Sequence, residues 1–285
     1  MKSVKICVAA ITAGVVCIAV MLGILSAAIY AENESGDSFI GLMYHQVLKD
    51  ESRAGKYIIT PNELESDLAY LSENGYVSVL PSQLVKIREQ GGRLPEKTVV
   101  ITFDDGYETG LYYVLPLLKK YGMKAVINVV GSYTDEYSQI NEEGRHLSYS
   151  YLTWNEIKTL SDSGYVEIGN HTYDMHSYNG DRNGCARKEN ESDEQYRTVL
   201  YEDVARLSDK LQQVTGKRPV TFAYPFGSLS EGSAEIIGSA GISVFMTCCE
   251  QPCSMNRNGR IVINRYNRES GRTAQQICEE FNNAF

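Results

Sequence analysis

The stretch Val99–Thr109, VVITFDDGYET, sets two adjacent carboxylates, Asp104 and Asp105, directly after an apolar run. Two acids cannot stay in a core, and the Gly106 that follows lets the chain turn. Acids at the carboxyl end of a buried strand sit where α/β enzymes build their sites. Asp-Gly is also a common turn dipeptide, so the pair alone fits a plain turn equally well. Three further groups bear on the choice: His45 in MYHQV, His171 and His176 in HTYDMH, and the turn Tyr224-Pro225-Phe226-Gly227, each following a short apolar stretch. An Asp with two histidines is a donor set suited to Zn²⁺ or a similar divalent ion with a position left for water. The two histidines are five residues apart, which is about 140° on a helix and opposite faces on a strand. Neither geometry chelates, so the segment must turn between them.

The elements that would position these groups alternate. Phe39–Tyr44 reads as a strand ending at His45, and Thr60-Pro61-Asn62-Glu63 as a capping box opening a helix. After the Asp-Asp strand comes an apolar helical stretch, Tyr112–Tyr121, in which Pro116 implies a kink or a late start. Lys124–Val130 is the next strand, and Gly131–Ser150 reads as a polar loop over the site. Thr153 and Glu156 make a second box, Val166–Gly169 is a strand delivering His171, and a long helix covers roughly Glu194–Thr215. Val220–Ala223, Ser243–Cys248 and Ile261–Asn264 are strands, and Thr273–Phe281 a closing helix. Such alternation implies parallel strands with right-handed crossovers, in an open sheet or a barrel. In a parallel barrel the four polar strand ends converge on one face.

The 285-residue chain begins with Lys2 and Lys5, then 25 residues without charge from Ile6 to Tyr30. That length spans a bilayer. Residues 1–31 are therefore expected to be a basic cytoplasmic stub and membrane anchor, or a signal peptide, with 32–37 a linker and 38–285 an extracytoplasmic domain. Without the two lysines, 25 basic side chains face 36 acidic ones, a surface that repels phosphate backbones and argues against nucleic acid. Five cysteines lie outside the anchor: Cys185, Cys248, Cys249, Cys253 and Cys278. No histidine follows Cys185 within reach of a zinc knot, so a disulfide or buried thiols are expected there.

TFDDG (Thr102–Gly106), HTYDMH (His171–His176) and YPFG (Tyr224–Gly227) together resemble the polysaccharide deacetylase family, the NodB-homology domain of carbohydrate esterase family 4. MYHQV (Met43–Val47) resembles the branch acting on poly-N-acetylglucosamine and related exopolysaccharides. The resemblance implies a distorted (β/α)₇ barrel after one N-terminal membrane helix, and metal-dependent hydrolysis of N-acetyl groups on an N-acetylated polysaccharide. It implies Asp105, His171 and His176 as ligands of a divalent metal, Zn first, with Co, Ni or Fe as alternatives. Asp104 would be the general base, Phe226 the backbone oxyanion donor, and His45 the candidate general acid. Tyr107, Tyr224, Pro225, Phe226 and Gly227 would shape the substrate groove.

The chain departs from the family's common pattern in three places. The histidines are five apart rather than four, as in the poly-N-acetylglucosamine branch. Ala223 stands where an arginine usually positions the catalytic acid, leaving Arg265 or Arg268 to replace it, and no histidine follows His176. Two other readings remain: a glycan-binding module on the same fold, and a glycoside hydrolase, whose flanking carboxylates would not be sequence neighbours. His146 reads as exposed, and Trp154 as a packing residue.

Overall fold

Seven strands run parallel in chain order: β1 (Ser38–Tyr44), β2 (Thr98–Phe103), β3 (Ala125–Val129), β4 (Val166–Asn170), β5 (Thr221–Ala223), β6 (Val244–Met246) and β7 (Ile261–Ile263). This computed structural model describes residues 38–178, 182–255 and 258–283. The expected anchor and linker lie outside the described residues. Among the described residues no helix is long and apolar enough to cross a membrane.

The sheet curls until β8 (Tyr266–Asn267) lies beside β1, with Leu42 opposite Tyr266. Only Asn264 and Arg265 separate β7 from β8. The chain itself thus bridges the last gap of a nearly closed barrel. Helices α1 (Pro61–Glu73), α2 (Pro81–Glu89), α3 (Leu115–Tyr121), α4 (Gly131–Tyr137), α5 (Trp154–Asp162), α6 (Asp193–Thr215) and α7 (Ser233–Ser239) fill the connections, and α8 (Ala274–Asn282) closes the chain.

Strand periodicity divides the core in two. Ile101, Phe103, Ile127 and Ile168 point outward and pack with Leu64, Leu68 and Leu118 of the helices. Val100, Val126, Val244 and Ile261 point into the barrel. Along β2 the inward series climbs from Val100 through Thr102 to Asp104. The interior therefore passes from apolar to ionised within one strand.

Local signals explain the helix starts. Capping boxes form at Thr60/Glu63, Thr153/Glu156, Ser192/Gln195 and Thr273/Gln276; each cap is worth about 1 kcal/mol. Pro116 falls in the first turn of α3, and a π-turn over Gly110–Val114 runs directly into it. The expected loop after β3 needs correcting: its first part is helix α4. That helix hides from pattern reading because it is seven residues long and buries Gly131 and Thr134 rather than aliphatic residues, while the half-buried Tyr133 and Tyr137 pack on Tyr151.

Candidate metal centre

The site is assembled from residues that immediately follow the strands. Asp104 and Asp105 leave β2, His171 leaves β4, and Pro225–Gly227 forms one 3₁₀ turn after β5. Among the described residues, three non-glycines have positive φ: Asp105 (72°), Thr172 (75°) and Phe226 (59°). All three lie at this face, one at each of those strand ends. Left-handed backbone costs an ordinary residue about 1–2 kcal/mol. It is thus concentrated where the groups must be aimed.

Asp105 Oδ1 lies 3.4 Å from His171 Nε2 and 3.1 Å from His176 Nε2. One donor atom from each residue falls within 4.8 Å of the others, and no other such group of ligands occurs among the described residues. Each imidazole has its second nitrogen engaged. His171 Nδ1 lies 2.8 Å from the Ala223 carbonyl, so Nδ1 carries the proton and Nε2 presents its lone pair. Tyr133 donates its hydroxyl to the His176 carbonyl (3.0 Å), leaving its oxygen to accept from His176 Nδ1 at 3.3 Å. Two imidazoles and one carboxylate, oriented from behind, form a donor set that fits a divalent cation.

Asp104 is 2% exposed and is held from inside the barrel. Arg265 Nη1 donates to its Oδ1 at 2.8 Å and Asn128 Nδ2 to the same oxygen at 2.7 Å. Among the described residues no hydrogen bond falls on Oδ2. Burial alone would push the carboxyl up, but the Arg265 guanidinium, with His171 and His45, pulls it well below the usual carboxylate range. Asp104 is therefore ionised, with one oxygen pinned and one open. Of the two candidate arginines, Arg265, itself fully buried, is the one that reaches Asp104; Arg268 instead bonds Asp67 at 2.7 Å.

Two strand glycines make room for this support. A Cβ on Gly41 would stand 2.3 Å from the Asn264 carbonyl and 3.2 Å from Arg265 Cγ; one on Gly169 would stand 2.0 Å from Asn128 Oδ1. Sequence reading missed Asn128, although a lone amide inside the apolar run KAVINVV is a signal.

His45 follows β1, and its buried Nδ1 has no hydrogen-bond partner among the described residues. Burial pushes its pKa below the ordinary imidazole value, while Asp105 and then Asp104 pull it upward. Its ring meets Tyr57 edge-on at 4.7 Å. Tyr107 stacks on Tyr151 at 4.9 Å beside the acids, where burial and then the Asp105 charge push its hydroxyl far above its usual pKa. Of the YPFG turn, only Phe226 and Gly227 reach solvent. Tyr224 and Pro225 are buried behind them, and the Tyr224 hydroxyl lies 3.3 Å from Ser233 Oγ. The Phe226 ring packs on His176 at 4.6 Å, and the Phe226 N–H takes no part in the described hydrogen bonds.

His146 is exposed as expected, and Trp154 packs, donating its indole N–H to Asp135 at 2.8 Å. None of the five described cysteines is bridged; Cys185, Cys253 and Cys278 are buried, Cys248 and Cys249 exposed.

A family model described as polysaccharide deacetylase matches residues 91–245, a span that holds both acids, both histidines and the YPFG turn. The chain is 26% identical over 230 residues to the poly-β-1,6-N-acetyl-D-glucosamine N-deacetylase of Escherichia coli (strain K12), matching 74% of this chain and 34% of that protein. The chain thus spans about a third of the length of that relative and of its counterpart from strain O157:H7. Among solved structures, a de-N-acetylase from Aggregatibacter actinomycetemcomitans is similar at TM-score 0.72 and 26% identity, over 85% of this chain and 99% of that one. IcaB from Ammonifex degensii is similar at TM-score 0.68 and 27% identity, over 86% and 97%.

Proposed function

The chain belongs to the polysaccharide deacetylase family, and from that premise we propose that it hydrolyses N-acetyl groups from a polysaccharide containing N-acetylglucosamine, releasing acetate. One juxtaposition supports this reading above all others: a three-donor cation site and, on the neighbouring residue, an ionised carboxylate with one oxygen open. The substrate named for the E. coli relative, poly-β-1,6-N-acetyl-D-glucosamine, is the glycan we assign first.

Asp105, His171 and His176 would hold the divalent ion, with Zn²⁺ our first assignment and Co²⁺, Ni²⁺ or Fe²⁺ the alternatives. Such an ion supplies Lewis acidity toward the acetyl carbonyl and makes water acidic enough to attack near neutral pH. Asp104 receives the attacking water's proton on Oδ2, while Arg265 and Asn128 stop the carboxylate from rotating. The Phe226 N–H donates to the acetyl oxygen as charge develops on it. His45 protonates the departing amine; burial lowers its pKa, and the two neighbouring carboxylates offset only part of that shift. Tyr107 and the Phe226 ring border the groove. We further place the domain outside the cytoplasm on an N-terminal tether, on the strength of the uncharged stretch Ile6–Tyr30. Protease accessibility on intact cells checks that placement.

The deciding experiment is acetate release by the full-length chain from poly-N-acetylglucosamine and peptidoglycan, after chelation and after adding back Zn²⁺ or Co²⁺. Metal-restored acetate without glycosidic cleavage is expected. Glycan binding with no acetate under any metal would overturn the reading in favour of a binding module.

A further inference from the structure

The five-residue spacing of the histidines leaves a physical problem that the metal ligands do not solve. Neither helix nor strand can supply hydrogen bonds to the backbone between them, and Thr172 is left-handed and fully buried. Thr172 N–H donates to Asn170 Oδ1 at the end of β4 (2.8 Å), and the further partners come from two helices. At the start of α4, Gly131 N–H donates to the Thr172 carbonyl (3.1 Å) and Ser132 N–H to the Tyr173 carbonyl (2.7 Å). Two successive N–H groups, those of Tyr173 and Asp174, are taken by one side chain on α6. Tyr173 N–H donates to Asp203 Oδ1 at 2.7 Å, and Asp174 N–H to Asp203 Oδ2 at 2.8 Å.

Two successive N–H groups beside a left-handed residue form an anion-binding concavity, and here its occupant is part of the protein. We propose that Asp203 is a positioning residue of the metal centre: its carboxylate fills that concavity and thereby fixes the separation of His171 from His176. The idea rests on the metal-dependent reading above.

Asp203 touches no ligand, and its effect runs through the backbone that both histidines share. Its acceptor role cannot pass to a neighbour on the same helix face, because that neighbour, Arg206, is a donor. Arg206 lies over the Tyr173 ring, 3.5 Å from its centroid, and bonds the Tyr173 hydroxyl at 2.8 Å. It steadies the side chain of the turn, whereas Asp203 steadies its main chain.

The test is Co²⁺ titration of the full-length protein, read by the visible absorption of the bound ion, which reports ligand geometry independently of turnover. Asp203→Asn keeps the shape but turns an amide donor toward one N–H. It is expected to weaken Co²⁺ binding about tenfold to a hundredfold and to alter the spectrum. Asp203→Glu, which keeps the charge one methylene further out, should recover part of the loss. Arg206→Gln should change affinity less than about fivefold. If Asp203→Asn does not fold, Asp203→Ser, which admits water to the two N–H groups, gives the same readout. Wild-type affinity and spectrum in the folded Asn or Ser variant would overturn the proposal. So would an equal loss in Arg206→Gln, since general loosening of α6 would then suffice. A wild-type protein that binds Co²⁺ but releases no acetate would count against the deacetylase reading alone; one that binds no Co²⁺ would overturn both.

Discussion

Asp104 and the histidine turn sit on one face of the barrel but are held from opposite sides. The acid is gripped from within, by Arg265 and Asn128, in a space that Gly41 and Gly169 keep open. The turn is gripped from without, by the start of α4 and by Asp203 of α6, largely through backbone groups. The inner support is charged and sterically tight. The outer one is a set of hydrogen bonds to main chain. A base must keep its charge and direction, which an interior ion pair enforces. Ligands need only a fixed spacing, which backbone bonds supply.

The contrast can be broken most severely at the acid. Asp104→Asn should lower kcat about a thousandfold while leaving Co²⁺ affinity nearly intact; a comparable loss of both would mean that the two supports are one. Arg265→Met leaves a buried carboxylate without its cation, and should cost about 3–5 kcal/mol of stability in urea unfolding. A smaller effect is expected from Gly41→Ala, where the added methyl meets the Asn264 carbonyl: about 1–3 kcal/mol, with activity falling as Arg265 shifts. Gly169→Ala displaces a side chain rather than backbone. It should therefore lower activity more than stability, as paired kcat and melting measurements would reveal.

The smallest effect lies in the pH dependence of folding. The folded pKa of Asp104 is below the unfolded value of about 3.9, so the stability drawn from its ion pair is present above that value. It is lost as pH falls through the folded value. Urea midpoints between pH 6 and 2.5 should decline less steeply in Asp104→Asn than in the wild type. Equal slopes would mean that Arg265 does not hold the acid's charge.

The sequence made legible what depends on short-range pattern. Apolar runs ending in Asp104-Asp105, His171 and YPFG located the strands and the face they share, and S/T-x-x-E/Q boxes located the helix starts. What it hid is long-range. Nothing local distinguishes Arg265 from Arg268, because the choice depends on which one the barrel seam points inward. Asp203 reads as one more acid on an exposed helix, and its role appears only once α6 lies against the histidine turn. Helix α4 escaped because it is short and buries Gly131 and Thr134, with no aliphatic stripe, while its Tyr133 packs against Tyr151 and His176.

The seam has a consequence in time as well as in space. Arg265 lies on the short link that joins β7 to β8 and so closes the sheet. During synthesis, both acids and both histidines emerge long before it. The residue that neutralises Asp104 therefore arrives from the far end of the chain, and the early acid is completed only by the segment that closes the barrel.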